Sequence, residues 1–176
     1  MKAHVIGGGE PTGICGSGLI DAVACMLELD VIDESGYLEE DEFIISSPVC
    51  ITSKDIRMLQ LAKSAICAGI ETLITGSGIS DSDIQALYIA GGFGTFLNKQ
   101  NASKIGLLPK NISKKTTAVG NAALTGASMM LLNGSFKKTA KEIANAAITL
   151  DLSANPVFSE KFMSGMIFEG EDNNGF

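Results

Sequence analysis

The chain has very few of the residues that carry out acid–base or nucleophilic catalysis. Its 176 residues include no tryptophan and a single histidine, His4, near the N-terminus, where we expect fraying. Serine and cysteine nucleophiles depend on a neighbouring base, most often histidine. The hydrolase motif GxSxG is also missing, because no glycine stands two residues before Ser17. We therefore expect no catalytic residue in this sequence.

Two common phosphate-binding motifs are absent as well. No GxxxxGK sequence of the P-loop type occurs. Gly16 and Gly18 begin a GxGxxG pattern, but Asp21 occupies the place of the third glycine, which dinucleotide folds need for close helix–strand packing. The sequence thus argues against a P-loop protein and against a dinucleotide-binding Rossmann domain.

Four cysteines are present, but none of them forms a CxxC pair: Cys15, Cys25, Cys50 and Cys67. Their spacing predicts neither a zinc site nor an iron–sulfur cluster in this chain, and we expect no metal ligands. We interpret the cysteines as buried, free thiols of a protein in the reducing cytoplasm.

Charge and hydropathy exclude two classes of partner. With 20 acidic and 13 basic residues the formal net charge is −7, whereas nucleic acids and anionic membrane surfaces attract basic proteins. No apolar run approaches the ~20 residues that a membrane-spanning helix needs. We expect neither nucleic acid nor a membrane as a partner.

What the chain does have is glycine, 20 residues of it, concentrated where strands and helices are predicted to end. The GGFG loop (Gly91, Gly92, Phe93 and Gly94) directly follows the apolar run LYIA, and the GICGSG turn (residues 13–18) precedes an apolar helix. Such glycines let the backbone approach a flat or anionic ligand, and a helix start favours phosphate. Tight connections without a ligand are the alternative, which the bare sequence leaves open.

Apolar periodicity predicts an α/β fold in one domain. Short apolar runs predict strands at residues 5–6, 43–50, 86–90 and 116–119. Helical periodicity covers residues 17–29, 53–74, 98–105, 120–132, 136–148 and 156–163. The clearest helix start is TSKD, a capping box in which Thr52 and Asp55 hold the free amides. On the helix 53–74 we expect a buried apolar face of Ile56, Leu59, Ala62, Ile66, Gly69, Ile70 and Leu73.

Four segments, in this order, carry a resemblance to a known family. They are GICGSGLIDAV (13–23), ITSKDIRMLQLAKSAICAGIETLI (51–74), LYIAGGFGTFLN (87–98) and AVGNAALTGA (118–127). Together they resemble the C-terminal part of the reductive activators of corrinoid proteins, from about residue 6 to residue 168. These activators are ATP-dependent, iron–sulfur-containing proteins. They are built on the ASKHA ATPase core, which acetate and sugar kinases, heat-shock chaperones and actin share.

The resemblance implies a fold and a division of the chain. Residues 1–168 are expected to form the C-terminal lobe of an ASKHA ATPase domain, a ribonuclease H-like α/β fold with a helical insertion. Residues 120–127 match the second connecting helix, whose small residues pack against a partner helix across the interdomain hinge. Residues 169–176 are expected to be a disordered acidic tail.

The resemblance also implies roles for individual residues. The GGFG loop matches the adenosine motif, whose glycines lie against base and ribose, and the GICGSG turn resembles a loop near the nucleotide. The helix 53–74 resembles one that flanks adenine from the opposite lobe, where Arg57, Gln60 and Lys63 share a polar face. A solvated face is the alternative for those three. The expected nucleotide-binding residues are Gly91, Gly92, Phe93, Gly94, Gly16, Ser17, Gly18, Gln60 and Lys63.

Two parts of such an activator have no counterpart in this sequence. An ASKHA core needs an N-terminal lobe whose Asp-Gly-Thr-type loop places magnesium and the attacking water, and no such segment precedes the four motifs. The iron–sulfur domain is missing too. We therefore expect the second half of a larger protein, with ATP and Mg²⁺ shared with a missing N-terminal lobe and the 2Fe–2S cluster confined to that missing region. Alone, the chain should bind ATP weakly and should not hydrolyse it.

In the whole protein, the resemblance implies, ATP binding and hydrolysis drive a conformational change that permits electron transfer to an inactive cob(II)alamin. The corrinoid protein, which is the expected partner, returns to its cob(I)alamin state. A homodimer is left open, and the residues do not decide whether the chain is itself an enzyme. Two alternatives also stay open: the lobe of an ASKHA small-molecule kinase, and a non-catalytic protein-interaction module whose glycine loops are purely structural.

Overall fold

The computed structural model describes residues 3–168 and has the α/β composition expected from the sequence. Helix α1 spans Gly16–Glu28, and α2, with 24 residues, spans Ser53–Gly76. The further helices are α3 (Gly92–Thr95), α4 (Lys99–Lys104), α5 (Lys110–Ser113), α6 (Ala122–Leu132), α7 (Ser135–Ala146) and α8 (Pro156–Ser164). The strands are β1 (Glu42–Ser46), β2 (Val49–Thr52), β3 (Leu87–Ile89) and β4 (Thr116–Ala118). The predicted tail, 169–176, lies outside the described residues.

Strands β3 and β4 lie side by side in parallel, with Leu87 opposite Thr116 and Ile89 opposite Ala118. Each strand has three residues and is followed within two residues by a glycine segment. Parallel neighbours point the same way, so their carboxyl ends lie at one edge of the sheet. The pairing therefore places the GGFG loop beside the residues that lead into α6.

Two of the predicted strands need correction. Residues 43–50 are not one strand, because β1 and β2 pair antiparallel around Ser47 and Pro48. Proline lacks the N–H that a strand ladder needs and favours turns, so the apolar run folds back on itself. Near the N-terminus, the Gly8 N–H donates to the Val5 carbonyl at 3.1 Å. That bond makes residues 5–8 a turn, where a strand was predicted.

Helix α2 begins with the capping box that the sequence predicts. Thr52 Oγ1 accepts the Asp55 N–H, and the Asp55 carboxylate accepts the Thr52 N–H at 2.9 Å. The Thr52 hydroxyl also donates to this carboxylate at 2.6 Å. The bonds from Thr52 hold the pKa of Asp55 below its usual value, because they stabilise the ionised form.

The buried side of α2 is more polar than predicted. Ile56 and Leu59 are buried as expected, but Ile66 and Leu73 are 46% and 56% exposed. Their expected places in the interior are taken by the polar residues Gln60, Lys63, Ser64 and Thr72. Each of these four side chains donates a hydrogen bond to a backbone carbonyl, which offsets the cost of burying a polar group.

The core lies between α1, the β1–β2 hairpin, α2 and the segment around α4. Its fully buried apolar side chains include Ile20, Val23, Met26, Ile51, Ile56, Ile105 and Phe168. Phe168 reaches this core from the far end of the described chain, and its N–H donates to the Glu34 carbonyl at 2.8 Å. Lys63 donates to the Ile167 carbonyl at 2.7 Å, and its Nζ lies 5.1 Å from the Phe168 ring centre, within cation–π range.

The four cysteines are free, as expected, but the prediction that they are buried is wrong. Cys15 is exposed and the other three are half-buried. Cys15 is the residue that caps the amino end of α1. Among residues 3–168, no helix has the combination of length and apolarity that crossing a bilayer requires.

We predict that Thr52→Ala lowers the free energy of unfolding by about 1 kcal/mol, because the substitution removes the side-chain half of the capping box. Urea denaturation followed by circular dichroism measures this loss. Ser53→Ala is the matched control, since Ser53 is exposed and outside the box. It should change the stability by less than about 0.5 kcal/mol. Equal losses for the two variants would contradict the role given to Thr52.

The stability difference between the unsubstituted chain and Thr52→Ala should depend on pH. The pKa of Asp55 is lower in the folded chain than its ordinary value, so its contribution is present above the unfolded-state pKa. That contribution is lost as the pH falls through the folded-state pKa. The stability difference between the unsubstituted chain and Thr52→Ala should therefore shrink in strong acid, and a difference that grew there would contradict this account.

Candidate functional site

The GGFG loop and the start of the AVGNAALTGA segment meet at the carboxyl edge of β3 and β4. The Val119 N–H donates to the Ile89 carbonyl at 2.9 Å, and the Gly91 N–H donates to the Gly120 carbonyl at 2.7 Å. The strand ladder thus continues past both strands into the two glycine segments. In α/β proteins, ligands bind at the carboxyl ends of parallel strands. We call this meeting of Gly91, Gly92 and Gly120 the glycine junction.

The backbone of the glycine junction is open on one side. A Cβ built on Gly91, Gly92 or Gly120 would meet no atom within 4 Å. Gly91 and Gly120 also have positive φ angles, +99° and +63°, which residues with a side chain rarely adopt. The backbone conformation therefore favours glycine at positions 91 and 120, and the lack of a side chain leaves free space at all three positions.

Gly94 has a different role from its neighbours in the GGFG loop. It is buried, and a Cβ at this position would overlap the side chain of Ile89. Thr95 Oγ1 donates to the Gly91 carbonyl at 3.1 Å, which links the last residue of the short helix α3 to the residue before its start. Packing alone accounts for glycine at this position, and a nucleotide contact by Gly94 stays a prediction.

The structure also brings the GICGSG turn to the GGFG loop. The Phe93 ring lies over the first residue of α1, so a Cβ on Gly16 would be 3.0 Å from Phe93 Cε2 and 3.2 Å from Cδ2. Such distances leave no room for a side chain without movement of the ring. Two glycine segments that the sequence predicts separately are therefore in direct contact.

Two polar contacts between α1 and α4 support this arrangement, and sequence reasoning missed both. Asn101 Nδ2 donates to Asp21 Oδ1 at 2.6 Å, and Lys104 pairs with Glu28 at 2.7 Å. In the sequence, Asp21 is distinguished only by standing in place of a third glycine. The bonded residues are 80 and 76 positions apart, so local periodicity carries no signal for them.

Cys15 caps helix α1, a role that sequence reasoning also missed. Its Sγ lies 3.4 Å from the Ser17 hydroxyl and accepts the Gly18 N–H at 3.3 Å. The hydrogen bond with Ser17, followed in size of effect by the one from Gly18, holds the pKa of the Cys15 thiol below its usual value. A cavity of about 590 Å³ borders the turn, and Cys15, Ser17 and Asp21 are among its lining residues. In the sequence, the signal for the capping role of Cys15 is its position directly before an apolar helix.

The two predicted site residues on α2 have partners within the chain. Gln60 donates to the Ser35 carbonyl at 2.9 Å, and Lys63 donates to the Ile167 carbonyl at 2.7 Å. Their exposures are 2% and 1%, so the solvated face weighed as an alternative is wrong for these two. Arg57 is exposed and lines a cavity of about 410 Å³, which is separate from the cavity beside the GICGSG turn. A nucleotide contact by Gln60 or Lys63 stays a prediction.

We predict that Cys15 reacts with iodoacetamide faster than Cys50 near neutral pH. The thiolate is the reacting species, and its formation is favoured at Cys15, whereas the hydrogen bond to the Glu42 carboxylate raises the pKa of Cys50. Peptide mass spectrometry over a series of pH values gives both rates. Ser17→Ala should slow the reaction of Cys15 and leave that of Cys50 unchanged. Equal slowing of both would count against the bond to Ser17 as the cause.

Comparison with known proteins relates the chain to corrinoid activators. The corrinoid activation enzyme RamQ of Eubacterium limosum is 31% identical over an alignment 192 residues long, gaps included. The alignment covers 93% of this chain and 32% of RamQ. The Co(II) methylated amine-specific corrinoid protein reductase of Methanosarcina barkeri is 33% identical over 144 residues, covering 82% of this chain and 26% of the reductase. The chain thus spans about a third of the length of these relatives or less.

A solved structure gives the same relationship at the level of the fold. The reductive activator for corrinoid, iron-sulfur protein matches 97% of this chain and 31% of its own, with a TM-score of 0.85 and 37% identity. This match confirms the predicted fold class. A family model described as the C-terminal domain of RACo, the ASKHA domain, covers residues 1–176. The chain therefore belongs to the family of RACo C-terminal ASKHA domains.

Proposed function

We propose that this chain supplies the adenosine side of an ATP-binding cleft in a reductive activator of corrinoid proteins. The observation that carries the proposal is the glycine junction, where the backbone is open at three glycines beside the carboxyl ends of two parallel strands. A flat base or a ribose can lie against such a backbone without meeting a Cβ. The adjoining GICGSG turn adds the amino end of α1, whose dipole favours a phosphate.

The two glycine segments of the site contact different parts of Mg–ATP in this proposal. Gly91 and Gly92 lie against base and ribose, while Gly16, Ser17 and Gly18 belong to the phosphate side, where the Gly18 N–H donates to Cys15 Sγ and so holds the turn in place. When bound, the nucleotide supplies the binding and hydrolysis energy for a conformational change of the whole protein. The part played by the chain's own residues is to bind and orient the nucleotide, and we assign none of them as an acid or a base.

The remaining contacts to the nucleotide have to come from a second lobe, and helix α6 supports this. All of α6 lies within the described part of the chain, and none of its residues is buried there. Leu131 and Leu132, for example, are 85% and 88% exposed. A helix that is apolar on all sides is normally covered by protein. We infer that α6 is the connecting helix between lobes, and that the chain alone binds ATP weakly and does not hydrolyse it.

The activity proposed for the whole protein is the one-electron reduction of corrinoid cobalt from Co(II) to Co(I), with a corrinoid protein as partner. The names of two relatives, a corrinoid activation enzyme and a Co(II) corrinoid protein reductase, support this assignment. Within residues 3–168, no three His, Cys, Asp or Glu side chains are grouped to hold a metal. This part of the chain does not fit an iron–sulfur cluster, and we derive no electron-transfer step through it. We propose a cytoplasmic location, which suits free thiols.

The test uses a chimera in which residues 3–168 replace the matching segment of RamQ. We predict that Gly92→Ala weakens Mg–ATP binding about tenfold, or ~1.4 kcal/mol, because a Cβ there enters the space proposed for the nucleotide. The thermal unfolding midpoint should not fall, since the added methyl group meets no atom of this chain within 4 Å and alanine forms helix more readily than glycine. Isothermal titration calorimetry and differential scanning calorimetry measure the two quantities.

Gly134→Ala is the matched control for this substitution. Gly134 also has open space around it and an ordinary φ of −60°, but it lies outside the glycine junction, so the affinity should stay the same. A chimera that does not bind Mg–ATP, or an unchanged affinity in Gly92→Ala, would overturn the nucleotide site. Binding without ATP-dependent growth of the cob(I) absorbance, in the presence of the corrinoid protein that RamQ activates and of a low-potential one-electron donor such as titanium(III) citrate, would overturn the corrinoid part.

A further inference from the structure

The contact between Phe93 and Gly16 joins the two glycine segments of the proposed site. The position of a Cβ on Gly16 lies 3.0 Å from Phe93 Cε2 and 3.2 Å from Cδ2. Phe93 is 47% exposed, so about half of the residue is covered. The ring therefore packs where any other residue at position 16 would place a side chain.

Phe93 projects from a loop that is anchored on both sides. On one side, Gly91 is bonded to the Gly120 carbonyl at 2.7 Å. On the other side, Gly94 packs directly against Ile89, and Thr95 bonds back to Gly91 at 3.1 Å. Because the backbone around the ring is fixed by these contacts, the ring has a defined position relative to the glycine junction.

Helix α1 is held to α4 at its second turn and at its carboxyl end, which leaves its amino end to be placed by other contacts. Asp21 and Glu28 bond to Asn101 and Lys104 of α4, at 2.6 Å and 2.7 Å, and α4 follows the GGFG loop in the chain. Helix α1 and the GGFG loop are thus both attached to α4, and the Phe93 ring lies between the loop and Gly16 at the amino end of α1.

We propose that Phe93 is a positioning residue, whose ring sets the distance between the GGFG loop and the amino end of α1. Gly16 is then glycine because the ring needs the space of a Cβ. This inference rests on the proposed function, since it treats the two segments as parts of one nucleotide site. The adenosine and the phosphates of one nucleotide are joined covalently, so contacts to both require that the two protein segments keep a matching separation.

The test is a double-mutant cycle in the RamQ chimera with Gly16→Ala and Phe93→Ala. Alanine forms helix more readily than glycine, and Gly16 has no positive φ. Contact with the ring is therefore the reason for alanine to be unfavourable at this position. In the presence of Phe93 we expect Gly16→Ala to lower the thermal unfolding midpoint and to weaken Mg–ATP binding about tenfold. In the Phe93→Ala background the same substitution should raise the midpoint and cost clearly less affinity than it does in the presence of Phe93.

Each other outcome identifies what is wrong. Additive losses of affinity would show that Phe93 and Gly16 contact the nucleotide separately, and would overturn the positioning role. A change of midpoint with unchanged affinity would reduce the contact to packing, and would overturn it as well. A chimera that binds no Mg–ATP would overturn the proposed function, and this inference with it. Gly134→Ala, made in both backgrounds, should have the same small effect in each.

Discussion

The parallel pairing of β3 and β4 is the constraint on which the glycine junction depends. Each strand has three residues, and so short a pair needs support from its surroundings. The bonds from Val119 to Ile89 and from Gly91 to Gly120 lengthen the ladder. Lys99, the first residue of α4, donates to the Thr116 carbonyl at 2.9 Å and fastens the helix to β4. The positions of the GGFG loop, α4 and the start of α6 all follow from this pairing.

Local signals in the sequence were sufficient for most of the secondary structure. The TSKD capping box predicted the start of α2, and the short apolar runs predicted β3 and β4, because these features depend on neighbouring residues. The prediction of one strand over residues 43–50 is wrong because Ser46, Ser47 and Pro48 interrupt the apolar run, as turn residues do. The buried side of α2 was mispredicted for a different reason. Lys63 bonds to a carbonyl 104 positions away, and helical periodicity contains no information about such a partner.

The candidate site was predicted as separate parts rather than as an arrangement. The sequence identified the GGFG loop and the GICGSG turn, but neither the contact of Phe93 with Gly16 nor the bond of Gly91 to Gly120. It also could not distinguish glycines by their purpose. Gly92 faces open space, whereas Gly94 is needed for packing against Ile89, and the two are only distinguished once the backbone conformation and its neighbours are known.

The burial of Phe168 has a consequence for how this domain forms during synthesis. Its side chain is fully buried among residues of α1 and α2, such as Met26 and Ile56, which are made more than 100 residues earlier. A nascent chain on the ribosome therefore cannot complete this core until residue 168 has left the exit tunnel. Contacts over such long sequence separations are slow to form. Until then the core lacks one of its fully buried aromatic side chains, and the apolar surface next to that gap is open to non-native contacts.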